Sequence, residues 1–180
     1  MINKISPSVR DALQGIQDGA SIMIGGFGTA GIPNELIDGL IANGATDLTI
    51  INNNAGNGET GLAALLKAGR VKKLICSFPR QVDSHHFDNL YRSKKIVLEL
   101  VPQGTLSERI RAAGAGIGAF FVQTAYGTEL AKNVDGSPKE TRLLDGKHYV
   151  LEAPIHADFA LIKAESGDRW GNLKYRKTAR

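Results

Sequence analysis

The sequence predicts an α/β protein built on an open, mostly parallel sheet with helices on both faces, with an added β-hairpin and strand segment in the C-terminal part. Three observations predict it. Short apolar runs alternate with segments whose apolar residues recur at helical spacing. Glycine or asparagine punctuates the ends of these segments. Farther along, Asp145-Gly146 separates two strand-like runs, a strong signal for a type I′ hairpin. Strand–helix alternation of the first kind calls for parallel strands joined by crossover helices.

The elements follow in order. Ser6-Pro7 is a helix start, with Ser6 as cap and Pro7 in the first turn; Val9, Leu13 and Ile16 recur at helical spacing and Gly19 ends the helix. Residues 21–24 form a short buried strand. Pro33 opens a second helix carrying Leu36, Ile37, Leu40 and Ile41, which stops at Asn43-Gly44. Residues 47–51 are the next strand, 62–67 a helix ending at Gly69, 71–77 a strand, 84–91 a polar helix and 96–101 a strand. Thr105 and Glu108 have the spacing of a capping box opening a further helix. After Gly118 the character changes: residues 141–144 and 147–152 flank the hairpin turn, and 159–163 and 173–175 read as further strands. Right-handed crossovers place the loops after parallel strands along one sheet edge. Loops 25–31, 52–58, 77–80 and 102–105 are therefore expected to converge.

Composition bounds the function. With 180 residues, 42% hydrophobic and 22% charged, the chain is of ordinary globular make-up and long enough for a real core. Its 21 glycines exceed the usual ~7% and point to many tight turns. A formal charge of +4 suits an anionic ligand but is no nucleic-acid footprint. The single cysteine, Cys76, excludes an internal disulfide framework, and its apolar strand context marks it as a buried small hydrophobe. Lys4, Arg10 and Asp11 interrupt any signal-like apolar run, and the longest apolar stretch, 115–122, falls far short of the ~20 residues of a membrane span. A cytoplasmic protein with no nucleic-acid or membrane partner is expected.

The run from Asp18 to Pro33 carries the most chemistry. Gly25, Gly26, Phe27, Gly28, Thr29, Ala30 and Gly31 form a loop whose glycines expose backbone N–H groups next to a helix start, which suits an anion. Residues 26–31 also fit G-x-G-x-x-G, the dinucleotide fingerprint. That fingerprint wants an acidic residue at the end of the second strand. Here the strand ends in Asn52-Asn53-Asn54, which disfavours a nicotinamide-dependent oxidoreductase. The three asparagines have two readings: self-capping turns, or amide donors for a carboxylate or oxyanion. His85 and His86 are adjacent on a helix and diverge by about 100°, which disfavours a shared metal ion, and no metal site is expected. Of the carboxylates, Glu108 is assigned to capping and Glu59 to a loop within reach of the site. None is an evident nucleophile, so no catalytic residue is assigned to this chain.

The stretch 18–33 closely resembles the first signature of the family I coenzyme A transferases: an Asp-Gly start, three apolar residues, Gly-Gly-Phe, then Gly-x-Pro. The resemblance continues through Asn53-Asn54-Ala55-Gly56, Pro102-Gln103-Gly104-Thr105-Leu106, Tyr126-Gly127-Thr128, Asp158-Phe159-Ala160-Leu161 and Gly171-Asn172-Leu173, essentially the whole chain. The chain resembles the α half of these enzymes. The family's catalytic glutamate lies in the β half, within a Ser-Glu-Asn-Gly motif absent here.

The resemblance implies a CoA-transferase active only with a β subunit, in an α2β2 or higher heteromer, with coenzyme A as substrate thioester and no tightly bound cofactor. It implies ping-pong transfer through a glutamyl-CoA thioester on that partner. It also assigns residues 25–31 to CoA binding and Asn53, Asn54 and Gln103 to the carboxylate pocket. Within the family, residues 76–81 and 167–172 look most like members that move CoA from succinyl-CoA to 3-oxoadipate in bacterial aromatic degradation. The alternative acceptors are acetoacetate and short-chain acids. Arg80 has two readings, a ligand for the second carboxylate of a dicarboxylic acid or a surface arginine. Residues 1–180 are read as one α-subunit domain. Family members continue past the Arg-x-x-Ala-Arg element, here residues 176–180, so the family's C-terminal segment is expected to be lacking.

Overall fold

The computed structural model describes residues 2–177. Five strands form a parallel sheet: β1 (Ser21–Ile24), β2 (Leu48–Ile51), β3 (Val71–Cys76), β4 (Val97–Leu100) and β8 (Phe159–Leu161), in the order β4-β3-β2-β1-β8. The chain steps outward from β1 to β4, then returns to place β8 on the other side of β1. β1 is thus the point where the strand order reverses, the position at which open α/β sheets bind ligands beyond their carboxyl edge.

Strand residues alternate between two cores, as a period of two requires. Ile22, Ile24, Leu48, Ile50, Leu74 and Cys76 pack on one face. There they meet α1 (Val9–Leu13), α2 (Asn34–Asn43), α3 (Leu62–Lys67) and α4 (His85–Arg92) through Leu13, Ile37, Leu40, Leu62, Leu65, Leu66 and Phe87. Ile51, Ile75 and Met23 face the other way, onto Leu106 and Ile110 of α5 (Gln103–Gly114) and Ile155. Helices therefore cover both faces, four against one. Burial on both faces is why each strand reads as a near-continuous apolar run.

The hairpin of β6 (Thr141–Leu144) and β7 (Lys147–Glu152) turns at Asp145-Gly146, both with positive φ (47° and 73°), as a type I′ turn demands. β5 (Phe120–Val122), within the apolar stretch that carried no strand expectation, pairs with β7 to make an antiparallel sheet ordered β5-β7-β6. A short 3₁₀ turn (Glu129–Ala131) and a second antiparallel pair, β9 (Ser166–Gly167) with β10 (Leu173–Lys174), complete the described elements.

Two helix starts differ from expectation. Ser8, not Ser6, caps α1: its hydroxyl accepts from Asp11 N at 3.1 Å and donates to the Asp11 carboxylate at 2.6 Å, a reciprocal pair Ser6 does not form. α1 also ends at Leu13, well before Gly19. The capping box at Thr105 does not form. α5 opens at Gln103 behind Pro102, whose extended ψ of 138° sets the break, so Thr105 is already inside the helix. Glu108 pairs instead with Arg111 one turn on, at 2.6 Å. The Arg-x-x-Ala-Arg element runs beyond residue 177, and its last three positions lie outside the described residues.

Candidate functional site

A cleft of about 430 Å³ opens at the carboxyl edge of the sheet, lined by Phe27, Gly28, Asn53, Ser77, Phe78, Gln81 and Gln103. These residues come from the loops after β1, β2 and β3 and from the first residue of α5, so the four loops do meet. A larger cavity of about 680 Å³ lies between the β4 edge and the small antiparallel sheet. It is lined by residues such as Arg109, Lys139 and Glu152 and does not touch these loops. Topology favours the smaller cleft as the chemical site, because it sits where the strand order reverses.

Loop 25–31 is more structured than a bare glycine run. Phe27 and Ala30 exchange backbone hydrogen bonds at 2.9 and 3.0 Å around Gly28-Thr29, and Gly25 N donates to Leu161 O at 2.9 Å. Three of its amides are thus taken, while those of Gly26, Gly28, Thr29 and Gly31 have no partner among the described residues. Gly26 has φ of 122°, and a Cβ there would overlap the Ile32 side chain and stand 3.1 Å from Ala30 O, so only glycine fits. Helix α2 begins at Asn34, three residues past Gly31. In a dinucleotide fold the third glycine packs at the helix start; here a tight turn intervenes, which argues against that reading.

The asparagines divide between their two readings. Asn52 and Asn54 are 4% and 0% exposed. Asn52 donates to Ile24 O at 2.6 Å and accepts from Asn54 N at 2.9 Å. Asn54 accepts from Gly56 N at 2.8 Å and reaches Gly28 O at 3.4 Å. Both amides are spent on holding the loops, so Asn54 acts on the cleft by tying loop 52–58 to loop 25–31.

Asn53 faces the cleft. Its Oδ1 accepts from Ser77 Oγ at 2.6 Å and from Gln103 Nε2 at 3.0 Å. Two donors on one atom fix the amide orientation and leave Nδ2, with both hydrogens, for a ligand. The N-terminus of the twelve-residue α5 also opens at Gln103, and its free amides favour negative charge there.

Arg80 does not line the cleft. Its Nε lies 2.7 Å from Asp88 Oδ1 and the side chain is exposed. Gln81 enters instead, with its amide nitrogen over Gly28. Sequence reasoning does not single out Ser77 or Gln81, and only their place in a loop after a strand signals them. Phe27 and Phe78 form an exposed apolar rim, 62% and 59% accessible. Cys76 is fully buried and burial pushes its thiol up to about 12, so it is inert.

Glu59 is also outside the cleft. Its carboxylate contacts Lys67 Nζ at 2.8 Å and both His85 Nε2 and His86 Nε2 at 3.0 Å. The Lys67 and His86 contacts hold it down at about 2. The expected divergence of the two histidines does not keep them apart, because Glu59 approaches from another loop between them. His85 Nδ1 contacts Asp83 at 2.7 Å, which raises the pKa of this imidazole.

An open parallel sheet with amide donors gathered beyond the strand where its order reverses defines a protein that binds an anionic substrate at its carboxyl edge. Residues 7–180 match the family model for coenzyme A transferase. The chain is 69% identical over 180 residues, all of its length and 76% of the relative's, to the first of the two kinds of chain in the 3-oxoadipate CoA-transferase of Pseudomonas putida. It is 49% identical over 94% of its length, and 67% of the relative's, to the corresponding chain of the succinyl-CoA:3-ketoacid coenzyme A transferase of Xanthomonas campestris pv. campestris. Among solved structures, glutaconate coenzyme A-transferase from Acidaminococcus fermentans shares the fold, with a TM-score of 0.80 at 20% identity over 93% of this chain and 59% of that one. The protein belongs to the coenzyme A transferase family, as an α subunit. Among the described residues no helix is long and apolar enough to cross a membrane.

Proposed function

We propose that the chain is the α subunit of a CoA-transferase that moves CoA from succinyl-CoA to 3-oxoadipate, together with a β subunit that carries the catalytic glutamate. The observation that carries the reading is the cleft itself: amide and hydroxyl groups from four loops, with no ionisable side chain among its seven lining residues. Such a surface binds and polarises carboxylates and thioesters but supplies no nucleophile. The 69% identity to a chain of a 3-oxoadipate enzyme, against 49% to a chain of a 3-ketoacid enzyme, favours 3-oxoadipate over acetoacetate or short-chain acids as acceptor.

In this reading the partner's glutamate carboxylate attacks the succinyl-CoA thioester carbonyl, giving a succinyl-glutamyl anhydride and CoA thiolate. The thiolate attacks the glutamyl carbonyl, forming glutamyl-CoA thioester and releasing succinate. The 3-oxoadipate carboxylate then attacks that thioester, and the thiolate released cleaves the second anhydride to 3-oxoadipyl-CoA, regenerating the glutamate. Asn53 Nδ2 and the free amides of Gly28 and Thr29 stabilise the oxygen that becomes negative at each attack. Loop 25–31 also receives CoA, and Gln103 orients Asn53.

The test is co-expression with a β-type partner and assay of succinyl-CoA with 3-oxoadipate and with acetoacetate. Borohydride trapping of the enzyme–CoA thioester is expected to label the partner alone. Label on this chain refutes the division of labour, and a higher kcat/KM for acetoacetate refutes the acceptor.

A further inference from the structure

The cluster of Glu59, His85 and His86 stands apart from the cleft and is unused by the proposed reaction. Glu59 Oε1 lies 3.0 Å from each Nε2, and the three atoms all fall within 4.8 Å of one another. The two imidazole rings lean together with centroids 4.0 Å apart. Each of these three atoms offers a lone pair when deprotonated, so they have no donor among themselves and require a positive centre between them. Asp83 Oδ1, 2.7 Å from His85 Nδ1, holds the tautomer that leaves the His85 Nε2 lone pair free, the outer-shell arrangement usual for a metal-binding histidine.

The backbone that presents these groups is already fixed. Gly58 N donates to Asp83 O at 2.8 Å, and Asp83 N to Asn57 Oδ1 at 2.7 Å. Ser84 Oγ donates to Gly56 O at 3.2 Å. Loop 52–58 and the start of α4 are therefore docked before any ligand arrives. The exposed side chains of Glu59 (55%) and His85 (44%) have room to draw in to the ~2.0–2.2 Å ligand distances of zinc, while His86 (15%) is held against the protein.

We propose that Glu59, His85 and His86 bind a divalent transition-metal ion of the zinc class, with Asp83 as outer-shell partner and an open coordination position toward solvent. Two imidazoles and one carboxylate select such an ion over magnesium or calcium, which prefer all-oxygen sites. The ion would clip the loop bearing Asn53 to the loop that bears Ser77 and Gln81, bracing two walls of the cleft from outside. Lys67, 2.8 Å from Glu59 Oε2, leaves Oε1 free to turn to the ion. The proposal is independent of the acceptor and of the β subunit.

The test is calorimetric titration of the untagged, chelator-treated full chain with zinc chloride, with cobalt(II) absorption as a second readout. One equivalent is expected to bind with Kd below about 100 μM, and cobalt to give the visible band of a site with nitrogen ligands. Glu59→Gln and His86→Ala are each expected to weaken zinc binding at least about tenfold, and Asp83→Asn about tenfold. The double variant His148→Ala/His156→Ala serves as control and is expected to bind like the parent. Glu59→Gln retains a hydrogen-bonding group at an exposed position, and circular dichroism checks that each variant is folded. A Kd weaker than about 100 μM, or a loss of less than about tenfold in either ligand variant, overturns the proposal.

Discussion

Asn53→Asp is the sharpest probe of the cleft, because it changes one atom that faces the ligand. Ser77 Oγ and Gln103 Nε2 donate to Oδ1 at 2.6 and 3.0 Å, and a carboxylate oxygen accepts both bonds at least as well. The fold should therefore be untouched. The other oxygen replaces Nδ2, so a donor becomes a charge. Losing one donor to a developing oxyanion costs about 3–4 kcal/mol, or 10²–10³ in rate. A carboxylate about 4 Å from the substrate's own carboxylate adds about 1 kcal/mol if water screens the pair and about 4 if the closed site excludes it. Together these place kcat/KM at least about a thousandfold below the parent. Asn53→Ala removes the donor without the charge and is expected to lose about a hundredfold. The measurement is the steady-state rate of the enzyme reconstituted with its β subunit, with thermal unfolding as a control. An Asn53→Asp enzyme that keeps more than about a tenth of parental kcat/KM refutes the amide orientation, with Nδ2 toward the ligand. Equal losses in the two variants refute the charge argument alone.

Other contacts set further outcomes. Arg80→Ala is expected to alter kcat/KM for 3-oxoadipate and acetoacetate equally, within about threefold, because Asp88 holds the guanidinium outside the cleft; a selective loss with the dicarboxylate would restore Arg80 as a specificity residue. Lys139→Met leaves the 2%-exposed Glu152 with Arg109 at 3.7 Å as its remaining ion-pair partner among the described residues, and should cost about 3 kcal/mol. That corresponds to a melting temperature about 6–12 °C lower, with much of the loss recovered by adding Glu152→Gln; identical single and double variants would sink the account. Asp158 accepts from Ser21 Oγ at 2.6 Å and Ser21 N at 2.8 Å, which lowers its pKa and ties β1 to β8. An acid depressed in the fold contributes stability above its unfolded pKa of about 3.9 and loses it as pH falls through the folded value. Asp158→Asn should flatten the acid limb of a stability–pH curve, and an unchanged limb would exclude the pair.

The parallel strands were legible because a strand buried on both faces must be apolar throughout, as in Leu48–Ile51 and Val71–Cys76. Loop convergence followed from topology, without any side-chain information. What remained hidden depended on partners that local spacing does not name. Ser6 and Ser8 are equivalent until the Asp11 contact chooses between them. Pro102 starts α5 before the Thr105–Glu108 pair can act as a box.

The same principle decides the site. An asparagine amide offers a donor and an acceptor, and its local sequence cannot say which faces the ligand. For Asn53 the choice is made by Ser77, 24 residues later, and Gln103, 50 residues later. For His85 and His86 the helical rotation that argued against a shared ligand is local, whereas Glu59, 26 and 27 residues earlier, is not. Chemistry at this sheet edge is thus assembled from groups of opposite hydrogen-bonding character on different loops. Substituting a cleft residue should consequently disturb catalysis through its partner's orientation as much as through its own contact. Ser77→Ala, which touches Asn53 through one hydroxyl, is the variant in which that second effect is isolated: it should lower kcat/KM about five- to tenfold by freeing the amide to turn, the equivalent of one lost hydrogen bond, while leaving the acid limb of stability unchanged.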